Sequence, residues 1–184
     1  MRLIEAFPSS FVVDITPGWP GTGEQVKSFI SYQQLGMHTE EFQEIRFYPK
    51  IGESWIGRFE KGERDKFEDA IFSVPAPSSA CVISSGAGFW VDVETKEATS
   101  LECPPITGAF ASSRHELILV VTWTDLYAYR SASVAWSLRK IAYDRLHVTQ
   151  IDEDELTAVG FDGGSIEIKV DIPSGKLMSS RRIE

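Results

Sequence analysis

Apolar positions along the chain recur mostly at every second residue. They come in short runs separated by glycine, proline and polar clusters, the pattern of β-strands rather than of helices. "SFVVDI", "EIRFYPKI" and "SWIGRFEKG" read as strands of the first half, the last setting Trp55, Gly57 and Phe59 against Ile56 and Arg58. From residue 80 the pattern repeats. "ACVISSGAGFWVDVETKEATSL", "LILVVTWTDLYAYRSASVAWSL" and "LTAVGFDGGSIEIKVDIPSGKLMSS" each run strand, short turn, strand, polar turn, strand. The period is roughly 40 residues, in the range of repeat architectures such as propellers. "ITGAFASS" and "LHVTQID" supply a connecting strand before the second and third copies, making four-stranded antiparallel units. "SSGAG" and "FDGG" are hairpin turns. Asp92 and Asp171 hold the same place in "VDVETKEA" and "VDIPSGKL", where an aspartate supports the turn through its side chain, while Tyr129 stands there in the middle copy.

One stretch breaks the alternation. In "TPGWPGTGEQVKS", Thr22 and Gln25 have the spacing of a capping box, and Val26, Phe29 and Ile30 follow at helical intervals. This predicts a helix from Thr22 to about Leu35, ended by Gly36 and burying those three side chains. The same stretch has the glycine spacing of a phosphate-binding loop, Gly18 and Gly23, but Glu24 and Gln25 stand where that loop needs lysine and serine or threonine. A carboxylate there repels phosphate, and Pro20 has no amide to donate. Trp19 in this turn remains a candidate binding residue, because tryptophan is favoured at hot spots.

The expected fold is therefore mainly β: antiparallel meanders with three propeller-blade-like repeats in the C-terminal half, plus one N-terminal helix covering a sheet edge. A chain of 184 residues with 42% hydrophobic content suits a single domain, 1–184, with N-terminal strands and helix over 1–79 and repeated meanders over 80–184. Aromatics at 11% suit sheet faces.

Charge narrows the function. The net charge of −9 repels phosphate backbones and anionic lipid surfaces, so neither nucleic acid nor a membrane is expected as partner; acidity can steer a chain toward a basic protein partner, and the simpler account is that many cytosolic proteins are acidic. The opening "MRLIEAFPSSFVVDITPG" lacks the form of a signal peptide, and no apolar run approaches the length of a membrane helix, so a cytoplasmic protein is expected.

Chemistry is sparse. His38, His115 and His147 are widely spaced and form no ligand cluster, and Cys81 and Cys103 form no Cys-x-x-Cys motif. "DEDE" and "FDGGS" lack the calcium-loop pattern, and no serine sits in a nucleophile elbow. No metal or cofactor is expected. The most distinctive run is "AWSLRKIAYDRLHV", where Trp136, Arg139 and Asp144 are the candidate binding residues. An Arg–Asp pair beside an indole recognises polar ligands by charge-assisted hydrogen bonds and stacking. The simpler account is an ion pair with a packed tryptophan.

The C-terminal hundred residues resemble a family of small uncharacterised bacterial proteins, through Ala135-Trp136, Asp144-Arg145-Leu146 and Val170-Asp171 up to Gly175, with "SSGAGFWVDVET" fitting as well. A weaker resemblance, in strand rhythm alone, is to β-propeller repeats. Neither resemblance implies an activity. The leading expectation is a non-enzymatic acidic binding or interaction protein, such as an inhibitor or immunity-type partner. The alternative is an enzyme or small-molecule sensor with a pocket near Trp136, Arg139 and Asp144.

Overall fold

The computed structural model describes residues 1–15, 20, 23–31, 41–62, 67–103 and 105–183. It divides into two compact units, Met1–Pro104 and Pro105–Glu184.

The first unit holds two sheets. One contains β2 (Phe11–Asp14), β3 (Gln25–Phe29), β4 (Phe42–Pro49) and β5 (Trp55–Glu60) in the order β2-β4-β5-β3. The other contains β1 (Arg2–Ile4), β6 (Ala70–Ser73), β7 (Ser79–Ser84), β8 (Ala87–Asp92) and β9 (Glu97–Ser100) in the order β1-β6-β7-β8-β9. Their facing side chains share one core around Ile45, Phe47, Trp55, Phe59, Val82 and Phe89. Trp55 sits at its centre, stacked on Phe47 at 4.7 Å, and its Nε1 donates to the Val93 carbonyl at 3.0 Å. That bond lets an indole be wholly buried without an orphaned donor. Gly57 is required here: a Cβ at this position would meet the Phe59 ring at 2.6 Å.

The second unit is two four-stranded antiparallel meanders. The first is β10 (Gly108–Ser112), β11 (Leu117–Val121), β12 (Leu126–Tyr129) and β13 (Val134–Leu138); the second is β14 (Asp144–Ile151), β15 (Glu155–Phe161), β16 (Ser165–Asp171) and β17 (Lys176–Arg182). Their inner faces supply one core, including Leu119, Ala128, Leu146, Ala158 and Ile168.

Two expectations are corrected. The described residues contain no helix. Gln25–Phe29, inside the expected helix, is the strand β3, paired in parallel with β5 from Gln25↔Trp55 to Phe29↔Phe59. Only Phe29 of the three residues meant for burial turns inward, stacking on Phe59 at 5.3 Å, whereas Val26 is 42% and Ile30 60% exposed. The edge of β5 offered backbone partners that the local helical spacing did not outweigh. Thr22 and residues 32–35 of that expectation, like Trp19, lie outside the described residues. The second correction concerns the blades: the sheets are not closed or curled into clear propeller blades. The strand rhythm is present, because the three aligned segments are β7–β9, β11–β13 and β15–β17. The copies are nevertheless unequal. The first belongs to a five-stranded sheet that ends in the parallel strand β1, while the others have four antiparallel strands.

The turn chemistry follows the residues closely. Ser85 and Gly86 both have positive φ, as a two-residue hairpin requires. Asp92 Oδ1 accepts the amides of Glu94 and Thr95, and Asp171 Oδ2 accepts the Ser174 amide at 3.1 Å and the Ser174 hydroxyl. The hydroxyl of Ser174 is the main reason that the Asp171 carboxyl is held below its ordinary value of 3.8; the Ser174 amide, His115 and Lys176 add to it, against a smaller opposing effect of burial. A lowered native value means the charged form supports the fold above the unfolded value, and that support is lost as pH falls through the native one. The stability advantage of the native chain over Asp171→Asn should therefore be constant from neutral pH down to about pH 5 and shrink below the ordinary 3.8. Urea midpoints measured against pH check this; parallel curves down to about pH 2 would rule it out.

Candidate functional site

The structure sets Trp136 apart from Arg139 and Asp144, which bound one connection, and gives each of the three its own partner. Trp136 lies inside β13 opposite Ala128, and its Nε1 donates to the Ile172 carbonyl at 2.8 Å. The face of its ring rests on Gly175, where a Cβ would come within 2.4 Å of it. It pins the β16–β17 turn to β13. Arg139, just past the end of β13, places its guanidinium 5.9 Å from the centre of the Tyr127 ring. Asp144 opens β14; its Oδ1 accepts the Arg145 amide at 2.8 Å, and its Oδ2 lies 3.7 Å from Arg145 Nε. Trp136 is thus tied to one end of β16, while Asp144 pairs with Phe161 at the other end of that sheet.

The end that carries Arg139 and Asp144 is more distinctive than the run that suggested them. Three connections meet there: Thr122–Asp125 between β11 and β12, Arg139–Tyr143 between β13 and β14, and Asp162–Gly164 between β15 and β16. Each brings one large exposed aromatic: Trp123 at 51%, Tyr143 at 79% and, from the last position of β15, Phe161 at 43%. The backbone beneath them is bonded together. Leu146 N donates to the Trp123 carbonyl at 2.9 Å, Tyr143 N to the Phe161 carbonyl at 2.8 Å, and Ile141 N to the Thr124 carbonyl at 3.0 Å. Thr122 Oγ1 accepts the amides of Thr124 and Asp125, and Asp125 accepts the Lys140 amide and the Tyr127 hydroxyl.

Backbone conformation marks the same place. Lys140 and Arg145 have φ of 55° and 58°, a region that L-residues with side chains seldom occupy. They flank Tyr143, and Arg145 sits in the irregularity where β14 shifts register between Asp144 and His147. Non-glycine residues held in this region cluster at functional sites. Sequence reasoning placed Trp123 and Phe161 in the turns "WTD" and "FDGG" and Tyr143 in the run that suggested Arg139 and Asp144, but had no means of seeing that the three share one end. A usable signal was present: an aspartate follows each within two residues, as Trp123-Thr124-Asp125, Tyr143-Asp144 and Phe161-Asp162.

At the opposite end of these sheets the hairpin tips are tied by ions. Arg114 pairs with Glu153, and His115 Nε2 lies 2.9 Å from Asp154 Oδ1 and 3.0 Å from the Glu153 carbonyl. The acidic "DEDE" turn is thereby partly neutralised. In the first unit Arg46 holds Glu24 through two bonds, Nε to Oε1 at 2.8 Å and Nη2 to Oε2 at 3.1 Å, with the Ser54 hydroxyl on the same carboxylate. That pairing raises the Arg46 value further.

Among the described residues no group of histidine, cysteine, aspartate and glutamate could hold a metal ion, and no clear catalytic groups are seen. Cys81 and Cys103 are buried and form no disulfide, and burial, with the neighbouring Cys103, pushes the Cys81 thiol up, away from the reactive thiolate.

No protein-family model matches the chain, and no curated protein is significantly similar to it. Among solved structures it is similar to BamB from Moraxella catarrhalis, with 16% identity and a TM-score of 0.45, covering 94% of this chain and 52% of that one. It is similar to apo AztD from Citrobacter koseri, with 10% identity and a TM-score of 0.48, covering 88% of this chain and 47% of that one. A third match is the extracellular domain of a one-component system from B. thetaiotaomicron, with 10% identity and a TM-score of 0.44, covering 88% of this chain and 25% of that one. The chain thus spans about half the length of BamB and AztD. These likenesses are distant and partial, to propeller-like β-proteins. The expectation of a cytoplasmic protein is not upheld by these likenesses, one of which is to an extracellular domain by its description.

Proposed function

We propose that this chain is a non-enzymatic binding protein whose contact surface is the aromatic end of residues 105–184, and that its partner is a basic protein. One observation carries the reading: Trp123, Tyr143 and Phe161 stand exposed on three connections whose backbones are hydrogen-bonded to one another. Exposed aromatics on a pre-organised frame present large contact area at little cost in entropy, which is what interface hot spots require. The charge of the chain supports the choice of partner. Residues 1–104 hold 16 acidic against 9 basic side chains, and residues 105–184 hold 11 against 9. The surplus steers a basic protein by long-range attraction, while contact energy comes from the aromatics. The alternative of an enzyme or sensor needs Trp136, Arg139 and Asp144 around one pocket, and their side chains are engaged with Ile172, Tyr127 and Arg145 instead.

The test is parallel affinity capture, from the source cells, with the native chain and with the triple variant Trp123→Ala/Tyr143→Ala/Phe161→Ala. Hot-spot aromatics contribute about 2 kcal/mol each, so a specific partner should be retained at least thirtyfold more weakly by the variant. Circular dichroism and melting temperature confirm that the variant is folded. Equal retention by both proteins would refute the proposed surface.

A further inference from the structure

We infer that the free outer edge of β17 takes up an extended acidic segment of another protein as an added strand. This goes beyond the aromatic end and does not depend on it. β17 is the last strand of its sheet, and all of its residues are exposed. The other outermost strands of the same unit, β10, β13 and β14, each keep buried or half-buried positions. The ladder fixes which main-chain groups of β17 are free. Ile183 N donates to the Ser165 carbonyl at 3.0 Å, so these two residues are a hydrogen-bonded pair. Bonded and non-bonded pairs alternate along an antiparallel ladder. Arg182 opposite Ile166 and Ser180 opposite Ile168 are therefore non-bonded, and their N–H and C=O groups point away from β16. None of those groups has another partner among the described residues. A row of unpaired donors and acceptors is a template for a further strand.

Charge selects the occupant. β17 reads KLMSSRR, with basic side chains at both ends and no acidic one, on a chain of net charge −9. Arg181 is taken by Glu167 of β16 at 2.7 Å. Lys176 and Arg182 form no ion pair among the described residues, the carboxylate of Asp171 beside Lys176 being turned to Ser174. A segment with carboxylates placed to meet both cations gains opposite-charge cross-strand pairs. A second copy of this chain is disfavoured at the same edge. Antiparallel contact between two β17 strands brings Lys176, Arg181 and Arg182 of both copies together, and like charges opposite each other are destabilising. Apolar contact adds selectivity. Leu177, opposite the buried Val170, is exposed, and so is Met178, the extra residue where the register shifts. An apolar residue of the added strand covers them, so the fitting segment alternates acidic and apolar residues.

The probe is a peptide of 7 residues, the length of β17, alternating glutamate with valine and titrated into the full chain. Binding is read by NMR from hydrogen exchange of the backbone amides. The expected result is new protection of the Ser180 and Arg182 amides. Two control peptides should give none: one has lysine in place of glutamate, and the other keeps every side chain but is N-methylated along its backbone. Ser180→Pro removes one outward donor and leaves the bonds to β16, so binding should weaken about tenfold with little change in melting temperature. Lys176→Gln/Arg182→Gln should weaken it about fivefold, a difference that added salt erases. The triple aromatic variant should bind the peptide as the native chain does, so the edge and the aromatic end stand or fall separately. Unchanged exchange at Ser180 and Arg182, equal binding of either control peptide, or full affinity in the charge variant overturns the inference. Protection of the same amides on concentrating the chain alone does so too, since the edge then belongs to a second copy. Loss of peptide binding in the triple aromatic variant would move the peptide to the aromatic end and sink the edge as its site.

Discussion

Trp55→Ala should destabilise the first unit by about 3–5 kcal/mol, the range for removing a buried aromatic from a packed core. Three effects act together at this position. The indole is fully buried, it stacks on Phe47 and meets Phe29 edge-on at 6.2 Å, and its Nε1 satisfies the Val93 carbonyl. Truncation opens a cavity between two sheets and leaves a buried acceptor without its donor. The neighbours cannot collapse into the space easily, because Phe47 and Phe59 are themselves held edge-to-face at 6.2 Å on adjacent strands. Trp55→Phe separates the contributions: it keeps a stacked ring and loses only the hydrogen bond and part of the volume, so about 1–2 kcal/mol is expected. Native-state hydrogen exchange at the amides of Val82 and Phe89 reads the unit directly. Unchanged protection in Trp55→Ala would show that the core is held by something else.

Gly175→Ala should cost the second unit about 2–4 kcal/mol, although it adds a single methyl group. Gly175 has φ of 69°, where an alanine is strained by about 1–2 kcal/mol. The added Cβ would also lie 2.4 Å from the Trp136 ring. The ring must move, and with it goes the 2.8 Å bond from Nε1 to the Ile172 carbonyl. A double-mutant cycle divides the two costs. In a Trp136→Ala background, Gly175→Ala should cost only the strain of the positive φ, about 1–2 kcal/mol. An equal cost in both backgrounds would mean that the indole does not bear on Gly175. The cycle also bears on the role of Trp136, because a residue serving only to pin the β16–β17 turn shows its whole effect in stability.

Strand positions and hairpins were legible where the signal is local. The segments from residue 80 onward appear as β7–β9, β11–β13 and β15–β17, and Asp92 and Asp171 brace their turns as their placement suggested. The helix was misread for a reason that can be named. Val26, Phe29 and Ile30 fit a helical face, but the open edge of β5 drew Gln25–Phe29 into a sheet through partners about thirty residues away, from Gln25↔Trp55 to Phe29↔Phe59. The repeat was over-read in the same way. The first copy has the rhythm of the others, yet β6 and the parallel β1 extend its sheet beyond theirs.

The candidate site divides along the same line. Arg139 and Asp144 were singled out because they lie close to Trp136 in sequence, but proximity along a strand says little about which end a side chain serves. By itself the sequence determined the strand rhythm, the hairpin and turn positions, the acidic balance and the lack of local catalytic motifs. These depend on side-chain type and on neighbours a few residues apart. Only the tertiary structure decided that β3 is a strand, that Trp136 is a pin across two strands, and that Trp123, Tyr143 and Phe161 share one exposed end. Each of those depends on which distant segments bury surface and exchange backbone hydrogen bonds, and an alternating pattern does not carry that information.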